Sequence, residues 1–101
     1  MKLIFFVPES HKERVKNGLF EIGAGKIGNY DRCSFEVEGV GQFRPLKEAD
    51  PHIGKIEKLE KVREFKVEMV MSSELRERAR DVLLKIHPYE TPAYEFYVIL
   101  E

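Results

Sequence analysis

Tryptophan is absent from this 101-residue chain, cysteine occurs once, and neither sign of charge is in excess. The lone Cys33 excludes an internal disulfide and any C-x-x-C redox or metal motif. With 17 basic residues against 18 acidic ones, the net charge of −1 gives no electrostatic footprint for nucleic acid or an anionic membrane. The opening apolar run, Leu3–Val7, stops at Pro8 and is too short for a signal-peptide core or a membrane span. A cytoplasmic protein is therefore the expectation. Basic residues do not interleave with the Phe and Tyr residues, so these read as strand core, not as a base-stacking platform.

What is present suffices for one domain, residues 1–101, with 43% hydrophobic residues to build a core. Its expected radius of gyration is roughly 13 Å. The 35% charged content is what a heat-adapted surface looks like, a compositional hint only.

Leu3–Val7 has the length of a buried central strand. Ser10 and Glu13 have capping-box spacing, and Val15, Leu19 and Ile22 then mark one face of a helix. Gly18 within it costs about 1 kcal/mol against Ala. Cys33, Phe35 and Val37 alternate with polar residues as a half-buried strand, with Cys33 expected to be a buried structural thiol. Phe65, Val67, Met69 and Met71 alternate likewise. Ser72 or Ser73 can cap a second helix whose apolar face is Leu75, Ala79, Val82, Leu83 and Ile86. His87-Pro88 ends it, because a residue before proline is pushed out of helical conformation. Tyr94–Leu100 reads as the last strand.

At a shift of 64 residues the two halves align without a gap, Glu13 on Glu77, Leu19 on Leu83, Ile22 on Ile86 and Tyr30 on Tyr94. Matching elements favour a duplicated βαβ unit. Two such units close into an α+β, ferredoxin-like βαββαβ sandwich, a four-stranded antiparallel sheet with both helices on one face.

"GAGKIG", residues 23–28, matches the G-x-G-x-x-G fingerprint of dinucleotide-binding folds. There the glycines follow a strand and open a helix, whose N-terminus meets the phosphates. Here they follow a helix and lead into a strand. The helix end they touch carries partial negative charge and repels phosphate. The stretch is read as a helix C-cap and tight turn, with Gly23 at C′.

In this topology the end of the first strand, the connection from about Gly39 to Lys58, and the loop "HPYETP" (87–92) share one end of the sheet. His11, His52 and His87 all belong there. The 39–58 connection is long enough to be functional or a flexible arm ordered only on assembly, with Phe43 and Arg44 as an anchor pair for a partner. His87, Tyr89, Glu90 and Tyr94 form the densest polar-aromatic cluster. Imidazole beside carboxylate can hold a metal or move a proton. Equally, His87 can cap the helix end and Glu90 can satisfy the turn. Ser10 beside His11 is not a triad, since no acid partner or oxyanion loop is marked.

Together, "GAGKIGNYDRCSF", "GVGQFRP", "PHIGK" and "HPYETPAYEFYVI" resemble the PII/CutA-like domain inserted in YqfO-type proteins of the Nif-three-like family, and small stand-alone versions of that domain. "HPYETP" also resembles the matching loop of CutA-type divalent-ion tolerance proteins. The resemblance implies a ferredoxin-like fold assembling as a trimer with ligand clefts between subunits. The dinuclear-metal halves of Nif-three-like proteins, which carry hydrolase or GTP-cyclohydrolase labels, have no counterpart in these 101 residues. PII proteins hold phosphates with Gly- and Lys/Arg-rich loops, where this chain has His-Pro-Tyr-Glu-Thr-Pro.

The leading reading is a non-enzymatic homo-oligomeric sensor or regulatory module that binds a small molecule or a divalent cation (copper or zinc) at intersubunit clefts. Its candidate ligand-binding residues are His87, Tyr89, Glu90, Tyr94, Phe43 and Arg44. Candidate metal ligands are His87 and Glu90, with His11 and His52 as poorer ones. The alternatives are a small metal-dependent hydrolase using His87 and Glu90 as acid–base pair, or a structural module docking a protein partner. An apolar patch on the face away from the helices marks an interface, and unpaired sheet edges with the reach of the long loop point to a homotrimer, a face-to-face dimer being the alternative.

Overall fold

The opening apolar run becomes the second strand from one edge of a four-stranded antiparallel sheet. In the computed structural model, which describes residues 1–100, the elements are β1 (Lys2–Pro8), α1 (Glu9–Glu21), β2 (Phe35–Phe43), β3 (Glu60–Val70), α2 (Arg76–Ile86) and β4 (Tyr94–Tyr97). A 3-10 turn, Ser73–Leu75, leads into α2, and the Ser72 hydroxyl accepts from the Glu74 N–H. The strand order β2-β3-β1-β4 and the two helices make the ferredoxin-like α+β fold.

Register assigns the faces. Leu3 lies opposite Met69 and Phe96, Phe5 opposite Val67 and Tyr94, and Val7 opposite Phe65. This face packs on Val15 and Leu19 of α1 and Ala79 and Leu83 of α2 in one core. Gly18 has a packing reason: a Cβ there would meet the Ile86 side chain at 2.5 Å. Its absence lets the helices approach closely, offsetting the propensity cost.

The turn after α1 is closed by its own backbone. Gly23 takes φ +107° just past the cap residue Ile22. The Gly25 N–H donates to Val70 O at 2.8 Å, and Gly25 O accepts from the Cys33 N–H at 2.8 Å. The Gly25 amide, which a phosphate would need, is thus already engaged.

Four sequence expectations are corrected. The capping box does not form: Pro8 occupies the N-cap and no side chain caps α1. The helix starts directly from β1, so Ser10 falls inside the first turn, where its hydroxyl bonds His11 Nδ1 at 2.8 Å. β2 begins at Phe35 and continues through "GVGQF", because β3 offers a ladder as far as Glu60 opposite Phe43. The irregular connection shrinks accordingly to 44–59. This long hairpin stretches the molecule to 46 × 25 × 24 Å and raises the radius of gyration to 14.3 Å. Along β2 the first two inward residues, Glu36 and Glu38, are charged: Glu36 receives Lys12 and Lys16 of α1, and Phe35 and Val37 face the other way, exposed. That ion cluster at the sheet edge replaces an apolar contact, and Cys33, ahead of the strand, is only half-buried. Finally, β4 stops at Tyr97, which pairs with Lys2. β1 begins there, so Val98 and Leu100 have no partner strand and lie exposed.

Candidate functional site

β1, the 44–59 connection and the α2–β4 loop converge at one end of the sheet. His87 ties the α2–β4 loop to β1. As the residue before Pro88 it leaves the helix (φ −61°, ψ 135°) while its N–H still bonds Leu83 O at 2.8 Å. Its ring turns inward and is 5% exposed. Nε2 lies 2.7 Å from the Phe6 carbonyl, which can only accept, so Nε2 carries the proton and donates. Nδ1 then accepts the Tyr89 N–H at 3.1 Å. Burial, first of all, pushes the His87 pKa below its ordinary 6.5, against the bond to Phe6 and the Glu64 charge. The imidazole is neutral at pH 7.

Tyr89 donates its hydroxyl to Glu64 Oε2 at 2.7 Å. Burial and then this bond push the phenol far upward, so it stays protonated. Glu64 fits because residue 41 is glycine: a Cβ there would lie 2.1 Å from Glu64 Oε1. Glu90 Oε1 accepts the Asp50 N–H at 2.9 Å and so pins the connection to the α2–β4 loop. These ties enclose a cavity of about 470 Å³ over the open sheet face, walled by Phe6, Phe43, Pro45, Ile53, Tyr89 and Ala93. Its polar lining includes Gln42, His52, Glu64, Glu90 and Thr91.

Of the residues singled out from the sequence, Phe43, Tyr89, Glu90 and His52 line this cavity. Phe43 is the last residue of β2, not mid-loop, with its ring 6.1 Å from that of Tyr89. His87 lies behind the wall, 4.9 Å from the Tyr89 ring. His11 is outside the lining, its ring edge-on to that of His52 at 5.7 Å. Arg44 is exposed and outside the lining. Tyr94 is on the opposite face, packed against the core and edge-on to Phe96. Phe6, Gly41 and Glu64 were not anticipated. A glycine inside a strand pattern signals close approach by another group, and that was the available clue.

The residues do not fit a metal centre within one chain. Among the described residues no three His, Cys, Asp or Glu side chains are placed to share an ion. Both His87 nitrogens are engaged. Nor do His87 and Glu90 form an acid–base pair: one addresses Phe6 and Tyr89, the other Asp50.

No family model matches the chain. It is 42% identical over 96 residues to a "GTP cyclohydrolase 1 type 2 homolog" of Halalkalibacterium halodurans, an alignment covering 95% of this chain and 26% of that protein. The chain thus spans about a quarter of the length of the curated relatives it matches. In structure it is similar to a Bacillus cereus protein related to NIF3, with TM-score 0.79 and 36% identity over 93% of this chain and 24% of that one. It is also similar to the periplasmic divalent cation tolerance protein CutA of Archaeoglobus fulgidus, with TM-score 0.71 and 22% identity over 99% of this chain and 83% of that one. At that identity the second likeness speaks for the fold alone.

Proposed function

The chain is a relative of the PII/CutA-like domain of YqfO-type, Nif-three-like proteins, and we propose from this that it is a non-enzymatic regulatory or sensor module whose cavity binds a small molecule. One observation carries the reading. The end of the sheet holds a preformed, mostly apolar cavity whose polar groups are positioned by bonds to one another, the arrangement expected of a ligand site. Catalysis is the weaker reading, because the neutral His87 and the protonated Tyr89 are each held in a structural bond. The cyclohydrolase name of the relatives belongs to proteins some four times as long.

In its working form the module is a homotrimer with the cavity completed at the cleft between subunits. Unpartnered surface supports assembly: Phe35 and Val37 beside the β2 edge, and Tyr97, Val98 and Leu100 beyond the β4 edge, are exposed. The open face is not one contiguous apolar patch, since Glu64, Lys66 and Glu68 of β3 run along it between the other strands. Association along both sheet edges therefore explains the exposed residues better than a face-to-face dimer.

A thermal-shift screen with small molecules tests the ligand reading, because a ligand specific to the folded state raises its melting temperature. A hit that Ala49→Trp abolishes by filling the cavity supports it; no hit from a broad collection counts against it. Light scattering tests assembly. Three times the chain's 11.8 kDa is expected, and a monomer mass rejects the oligomer.

A further inference from the structure

The cavity wall carries a charge bias that selects its ligand. Two carboxylates, Glu64 and Glu90, line it, and among the described residues no Lys or Arg does. Glu90 is exposed to solvent and accepts the Asp50 N–H through Oε1. Glu64 is half-buried and likewise uses one oxygen, Oε2, which accepts from Tyr89. Among the described residues Oε1 has no hydrogen-bond partner, and the missing side chain of Gly41 lets the carboxylate lie close over the strand at the cavity. Three aromatic residues, Phe6, Phe43 and Tyr89, line the same cavity; Tyr89 bonds this carboxylate, and the Phe43 ring lies 6.1 Å from that of Tyr89. A carboxylate within an aromatic enclosure attracts a cation twice, through its own charge and through the ring faces. It repels phosphate and carboxylate groups.

We propose that the cavity takes a small organic cation, with its ammonium or amidinium group on Glu64 Oε1 and an apolar body against Phe6, Phe43 and Tyr89. The inference rests on the ligand-binding reading above and adds the chemical class. The volume of about 470 Å³ suits such a molecule, since ligand pockets commonly measure roughly 300–1,000 Å³.

Three probes of nearly equal shape separate the charge from the fit: 2-phenylethylammonium, 2-phenylethanol and 3-phenylpropionate. Each is titrated by calorimetry into the intact protein and into Glu64→Gln at fixed ionic strength. Glu64→Gln retains an acceptor for Tyr89, and circular dichroism checks that it folds. Phe43→Leu is the second variant and leaves the carboxylate untouched. The ammonium should bind about tenfold more tightly than the alcohol, as a charge-assisted bond gives, and the carboxylate more weakly than either. Glu64→Gln should erase the tenfold preference, and Phe43→Leu should lower ammonium affinity several-fold. Alcohol and ammonium binding equally would overturn the cation assignment and leave a ligand cavity standing. Preferential binding of the carboxylate would do the same. If none of the three binds, both the assignment and the ligand reading fall.

Discussion

The two loops that follow the helices occupy matching places in the duplicated unit, for at a shift of 64 residues Gly23 falls on His87. They end their helices by opposite means. At Gly23 the chain turns into positive φ and the following backbone closes on itself through Gly25, Val70 and Cys33. At His87 the backbone stays extended, and a side chain makes the closure by bonding Phe6 O and the Tyr89 N–H. The first loop borders a smaller hollow of about 320 Å³ at Ile27, Cys33 and Phe35, whereas the second walls the cavity of about 470 Å³. The stretch that looks most like a nucleotide motif is thus the structural one, and the loop without glycine is the candidate site.

Substitutions at the two closures should separate them. His87→Ala removes the donor to Phe6 O and the acceptor for Tyr89 and leaves a void, so it should cost about 3 kcal/mol in urea unfolding. It should also abolish thermal shifts by cavity ligands. Gly25→Ala should cost about 2 kcal/mol, given strain at positive φ and a close contact. Its φ is +80° and the added Cβ would lie 2.8 Å from Cys33 O. The shifts caused by cavity ligands should persist in this variant, and any ATP or NAD affinity should be the same as in the wild type. Tight nucleotide binding lost in Gly25→Ala would reverse the assignment of roles.

A pH titration sharpens the contrast, because only the second closure contains a titrating ring. Since the folded pKa of His87 lies below 6.5, its neutral form contributes stability that is fully present above 6.5. That contribution is lost as pH falls from 6.5 toward the folded value. Urea midpoints should decline across this window in wild type and decline less in His87→Gln. The smallest effect concerns metal. Copper or zinc should bind weakly at most, through the neighbouring imidazoles of His11 and His52. His11→Ala should lower that affinity in calorimetry, while His87→Ala should lower it less, its nitrogens being committed already.

Elements with strong local periodicity were legible from sequence: β1, both helix faces, the Gly23 cap and the breaking of α2 before Pro88. The convergence of all three histidines on one end followed from topology, and the structure brings them there. What failed depends on partners distant in sequence. The extent of β2 is set by β3, and that of β4 by where β1 begins. The inward Glu36 is tolerated because Lys12 and Lys16 meet it. Glu64 reads as an ordinary charged position in an alternating strand, and only Gly41 and Tyr89 make it part of a site.

Isotope-edited NMR mapping tests the central claim most directly. Backbone amide shifts of the ¹⁵N-labelled protein would be followed during titration with 2-phenylethylammonium and, separately, with ATP. The account predicts saturable shifts clustered at residues 41–53, 64 and 89–93 for the ammonium, and none at 23–33 for either compound. Saturable shifts centred on residues 23–33 would contradict it.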